Sequence, residues 1–202
     1  MKRAFLSPVL CYNYAMSLTE LPADIHELIV KLPYRVGLYI SMSDQTGGGD
    51  SDDAERRALE NVVIFYVEDF CKSEFAQSVM LETLQRKAEW DSWGSDIANV
   101  TEECKKVFDA LTGQVDLRDI VALKNNLLEI AIAVAMAYRE FDASDPWVNR
   151  FKVYLGILIE RIKLSLKGES SNSVDQLLNI SRAEKAAINL LAETLGIQHK
   201  VG

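Results

Sequence analysis

Residues 130–137 read IAIAVAMA, at the centre of the longer stretch Leu127–Glu140, LLEIAIAVAMAYRE. The run is apolar on every side, which marks a helix surrounded by other helices rather than one lying on a surface. Its alanines are strong helix formers and are small enough to let neighbours pack closely. No glycine or proline occurs between Asp116 and Phe141, so the spacing predicts one long helix over that range, the most buried of the protein.

Working outward, Gly113 stops a preceding helix opened by Thr101 and running through Leu111. Upstream of that, Ser73 is placed to cap a helix from Glu74 to about Trp90, ended by Asp91-Ser92-Trp93-Gly94. Leu59, Val62, Val63, Phe65, Tyr66 and Phe70 fall at helical spacing in a helix from about Asp52 to Phe70. Near the N-terminus, Pro22 starts a short helix through Lys31, Pro33 interrupts it, and a second helix covers Tyr34 to Met42. On the C-terminal side, Asp145 and Pro146 begin a helix to about Lys167, followed by a loop at 168–173 and a short helix over Val174–Leu178. The last helix runs Arg182–Leu195 and ends at Gly196. No β-period alternation persists. The reading is a single compact all-α bundle of about seven helices, with residues 1–20 as an N-terminal arm and 21–202 as one domain.

Of the 202 residues, 49% are hydrophobic and 26% charged, the balance of a globular domain with a real core. The formal net charge of -8 argues against nucleic acid as a partner, because an acidic surface repels phosphate. Cys11, Cys71 and Cys104 are odd in number and lack close metal-ligand spacing, and they read as reduced thiols of a cytoplasmic protein. His26 and His199 are far apart and belong to no metal-binding pattern, so each reads as a surface or cap residue. Lys2 and Arg3 resemble the start of a secretion signal, but Pro8 and Asn13 break the apolar stretch that follows, so no cleaved signal is expected. No stretch is long and apolar enough to predict a membrane span.

Two segments share a pattern. Asp52-Asp53-Ala54-Glu55-Arg56-Arg57-Ala58-Leu59 aligns with Ser181-Arg182-Ala183-Glu184-Lys185-Ala186-Ala187-Ile188: cap residue, any residue, Ala, Glu, basic, any residue, Ala, large aliphatic. Each follows an apolar helix and a loop, as in a duplicated helix–loop–helix unit. Each also fits a capping box, in which Asp52 or Ser181 accepts from the N–H three residues on and Glu55 or Glu184 reaches back to the cap's own N–H. The first copy carries a second reading. Counted from Asp44 as the first position of a twelve-residue calcium loop, Thr46, Gly49, Asp50, Asp52 and Glu55 fall at the third, sixth, seventh, ninth and twelfth. Such a loop needs a glycine to turn around the ion and a terminal carboxylate to close on it. Gly48, at the fifth position, offers no ligand. The candidate metal residues are therefore Asp44, Thr46, Asp50, Asp52 and Glu55. Their oxygen-only set points to calcium or magnesium. Asp53 and Glu60 add to the same acidic cluster, against Arg56 and Arg57.

The segment SDQTGGGDSDDAERRALENV resembles the tellurite-resistance TerB-like family: an apolar helix, an Asp-Gly loop, then a helix opened by an acidic residue and a glutamate. Asn179–Ile197, NISRAEKAAINLLAETLGI, is similar to that family's closing pattern of polar cap, Glu, amphipathic helix and Leu-Gly-Ile. Leu127–Glu140 resembles the Ala-rich helix that precedes the Asp-Gly loop. The Asp-Gly dipeptide is stretched here to Asp44-Gln45-Thr46-Gly47 and is absent from the second copy, where residues 141–178, with a helix of their own, intervene. The resemblance implies an all-α fold of two related units. It also implies that, if the family's acidic loops hold metal, the first copy is the one to do so.

No catalytic constellation is legible. Two isolated histidines do not supply the ligands of a metal bundle, and Cys71 and Cys104 have no histidine near them in sequence. The expectation is a non-enzymatic interaction or scaffold protein of the TerB-like kind, connected with tellurite or stress response, whose protein partners the sequence does not name. The alternative is a small-ligand or lipid-binding protein using the apolar centre of the bundle. Arg150, Lys152, Arg161, Lys163 and Lys167 on the helix Trp147–Lys167 would suit a membrane surface or an acidic partner. The same residues also fit a core helix whose basic edge reaches solvent, and that reading is preferred.

Overall fold

A computed structural model of the protein describes residues 16–43, 59–64, 73–140 and 180–197, with the side chains of 136–140 outside the description. The helices are α1 (Ala23–Ser41), α2 (59–64), α3 (Glu74–Gln85), α4 (Trp90–Trp93), α5 (Val100–Leu111), α6 (Leu117–Glu140) and α7 (Arg182–Leu195). Short 3₁₀ turns at Leu18–Glu20, Lys87–Glu89 and Ile97–Asn99 join or precede them. Among the described residues there is no strand, and the protein is an all-α bundle. The helices expected over 145–167 and 174–178 lie outside the described residues, as does most of the one expected over 52–70.

The expected break at Pro33 does not occur: α1 passes through it as one helix. Proline at that position removes the N–H that would reach the Ile29 carbonyl, a loss of about 3 kcal/mol in a helix interior. Burial outweighs it. Ile29, Val30, Leu32, Tyr34, Val36 and Ile40 are all buried, as is Pro33 itself. Each large apolar side chain contributes roughly 1.5–3 kcal/mol when taken from water. A split helix would surrender several of these contacts to recover one hydrogen bond.

The helix expected to reach Trp90 ends instead at Gln85, and the chain turns through Lys87–Glu89 before α4. The turn swings Trp90 and Trp93 onto Tyr34 of α1. Trp90 stacks on that ring at 4.6 Å and Trp93 meets it edge-on at 6.2 Å. The Trp90 indole N–H donates to the Thr83 carbonyl at 3.0 Å and so ties the turn back to α3. Burying two indoles and satisfying one of their N–H groups favours this bend over a straight continuation.

The remaining boundaries follow the sequence signals. Ser73 Oγ accepts from the Ala76 N–H at 3.0 Å, and Asp116 Oδ1 accepts from the Arg118 N–H at 2.8 Å. Helix α5 starts at Val100, one residue before the Thr101 expected to open it. Gly113 and Gly196 take φ values of +81° and +68°, where any side chain would be strained.

Helix α1 is the hub of the bundle and packs on α3, α4, α5, α6 and α7. Helix α6 lies along α1, α3 and α7, and every residue from 126 to 135 is buried, Ile130, Ile132 and Val134 among them. At Gly37 the crossing is so close that an added Cβ would stand 2.1 Å from Leu59 Cδ1 and 3.3 Å from Val134 Cγ2. Both neighbours are buried and have no solvent to move into. Gly37→Val should therefore destabilise the fold by about 1–3 kcal/mol in urea unfolding. Leu59→Ala made in the same chain should recover part of the loss, and an unchanged midpoint for Gly37→Val would contradict the packing described.

Candidate functional site

Asp44, Thr46, Asp50, Asp52 and Glu55, the residues expected to hold a cation, all lie outside the described residues. So do Cys11, Cys71, His199 and the basic helix Trp147–Lys167. The residues on either side, Ser43 and Leu59, are described. On one side the Ser43 hydroxyl donates to the Ile40 carbonyl at 2.7 Å as α1 finishes. On the other, Leu59 seats against Gly37. Glu60, counted in sequence with the loop's acids, accepts from Lys87 Nζ beyond α3, so its carboxylate belongs to an ion pair between elements.

The second capping box forms as its spacing predicts. Glu184 N–H donates to Ser181 Oγ at 3.1 Å, and Ser181 N–H donates to Glu184 Oε2 at 2.7 Å. Glu184 is buried, and its carboxylate is used in closing the helix end.

The densest polar arrangement among the described residues is one the sequence did not single out. Arg35, on the hub helix, has a side chain only 5% exposed. Its Nε donates to Glu103 Oε2 at 2.8 Å and one terminal nitrogen to Glu103 Oε1 at 3.0 Å, a two-pronged pair. The guanidinium also donates to the carbonyls of Trp93, Ser95 (2.8 Å) and Asp96 (3.2 Å). A guanidinium has five N–H donors in a fixed fork, and this geometry uses the whole fork. The effect is to hold the segment after α4, where Asp96 has a left-handed φ of 51°, against α1 and α5. A basic residue within the apolar run Leu32–Val36 was the available signal. A charge placed there must be buried with partners or force the helix to face water.

A second cluster lies beside it. Arg86 donates to Glu27 through both terminal nitrogens (2.7 and 3.0 Å) and to Glu89 through Nε and one terminal nitrogen (2.9 and 2.6 Å). Its guanidinium carbon is 5.3 Å from the centre of the Trp93 ring. Lys31 pairs with Glu27 at 2.7 Å one helical turn away. Hydrogen bonds from Arg86 and then Lys31 hold the Glu27 carboxyl at a pKa of about 2, against an ordinary 4.5, while the two carboxylates raise that of Arg86. His26, expected as a surface or cap residue, is half-buried with Nε2 3.2 Å from Glu82 Oε2.

These groups bind helices to one another, and their geometry supplies no nucleophile and base. Cys104 is fully buried, and burial first, with the nearby Glu103 charge second, pushes its thiol up to about 12, so it stays protonated at neutral pH. Among the described residues no group of three or more His, Cys, Asp or Glu side chains is placed to hold a metal ion. Among them, too, no helix is long and apolar enough to cross a membrane.

Two outcomes are expected. Arg35→Ala leaves Glu103 and three carbonyls without their donor and should lower stability by about 3–5 kcal/mol. Arg35→Lys keeps the charge but not the fork and should lose about 1–3 kcal/mol; urea midpoints no different from the parent would show that the fork is dispensable. For Glu27 the folded-state pKa lies below the unfolded value, so its contribution is present above pH 4.5 and is lost as pH falls from there toward 2. Glu27→Gln should flatten the pH dependence of unfolding across that window, and an identical acid limb in both proteins would contradict the pairing. No family model matches the chain, and neither a curated protein nor a solved structure does.

Proposed function

We propose that this chain is a non-enzymatic interaction or scaffold protein of the TerB-like kind, acting in tellurite or general stress response. The family reading rests on the sequence: the paired cap–Ala–Glu–basic segments at 52–59 and 181–188 and the Leu195-Gly196-Ile197 ending. The observation that favours a surface function over a pocket is the packing at Gly37. There α1, α2 and α6 meet so closely that an added methyl group would displace Leu59, beside Val134 in the apolar centre of the bundle that the alternative reading would use for a lipid or small ligand. Deleting the gene in its native host should lower growth in tellurite and leave unstressed growth intact. The purified chain should run in native mass spectrometry at its bare mass. Unchanged tellurite tolerance together with a lipid retained on the chain would favour the ligand-binding alternative.

The Gly-rich loop is proposed as a weak calcium or magnesium site formed by Asp44, Asp50, Asp52 and Glu55, with Thr46 as a weaker ligand. Gly48 contributes no side chain, and three adjacent glycines lose more backbone freedom than other residues on being fixed around an ion, so affinity should be ~10⁻⁴ M or weaker. Calorimetric titration with calcium should give heat that the double variant Asp44→Ala, Glu55→Ala abolishes. No heat at millimolar calcium, or equal heat from the variant, would leave Glu55 with a capping role alone.

A further inference from the structure

We draw no further inference here: the strongest candidate, the exposed apolar pair Leu117 and Val121 one turn apart at the start of α6, is an outward helix face with nothing in the structure to show what covers it.

Discussion

At Gly37 the backbone of α1 comes so close to Leu59 and Val134 that a side chain there would have to displace the end of Leu59. The rest of the bundle depends on this approach. A helix that is to touch α3, α4, α5, α6 and α7 at once must be slim at its most crowded crossing and apolar around most of its circumference. Ile29, Val30, Leu32, Val36 and Ile40 provide the apolar circumference, and Gly37 provides the slimness. The same demand explains why Pro33 is tolerated. In a helix packed on so many sides, the free energy of burial is several times that of the single hydrogen bond the proline removes.

A hub buried on most sides cannot easily carry charge, and α1 carries one at Arg35. Removing an isolated charge from water is far more unfavourable than any one apolar contact is favourable. It becomes tolerable here because Glu103 neutralises it and three carbonyls take the remaining donors. Two helices and the segment after α4 are thereby fixed by one side chain. A hydrophobic residue of similar volume would fill the same space without specifying where that segment must lie. The neighbouring Arg86 acts in a similar way nearer the surface, spanning Glu27 of α1 and Glu89 of the turn before α4. Its exposed partners make it weaker in stability terms than the Arg35 clamp.

The local rules were legible where one residue decides the outcome. Ser181 with Glu184 and Gly196 fix both ends of α7, and the run Ile130–Val134 declares its burial without reference to any partner. The rules gave the wrong boundary where tertiary contact competes with local preference. Pro33 reads as a break because its effect on the backbone is local, while the compensating burial comes from helices distant in sequence. The stretch from Gln85 to Trp90 reads as continuous helix because the Trp90–Tyr34 stack that bends it joins positions far apart in the chain. Arg35 does not declare its role in the sequence for the same reason, since its carboxylate partner is on α5. The Gly-rich loop poses a different difficulty. Capping and ion binding ask for the same carboxylates at the same spacing, so position in the sequence does not separate them.

Electrostatics does bear on that choice. With Glu60 paired to Lys87, the sequence from 44 to 58 carries Asp44, Asp50, Asp52, Asp53 and Glu55 against Arg56 and Arg57, five negative charges less two positive, a net of -3. Like charges repel most where they come within the ~8 Å over which physiological salt screens. A divalent ion would relieve more of it than either arginine alone, because it places two positive charges among the oxygens at once. Against this stands the ordering of Gly47, Gly48 and Gly49, residues that lose more backbone freedom on being fixed than any others. These two effects oppose one another in setting the affinity. The described residues on either side of 44–58 are held by contacts of their own, Ser43 by the Ile40 carbonyl and Leu59 and Glu60 by Gly37 and Lys87. Asp44→Ala and Glu55→Ala change none of these anchoring residues.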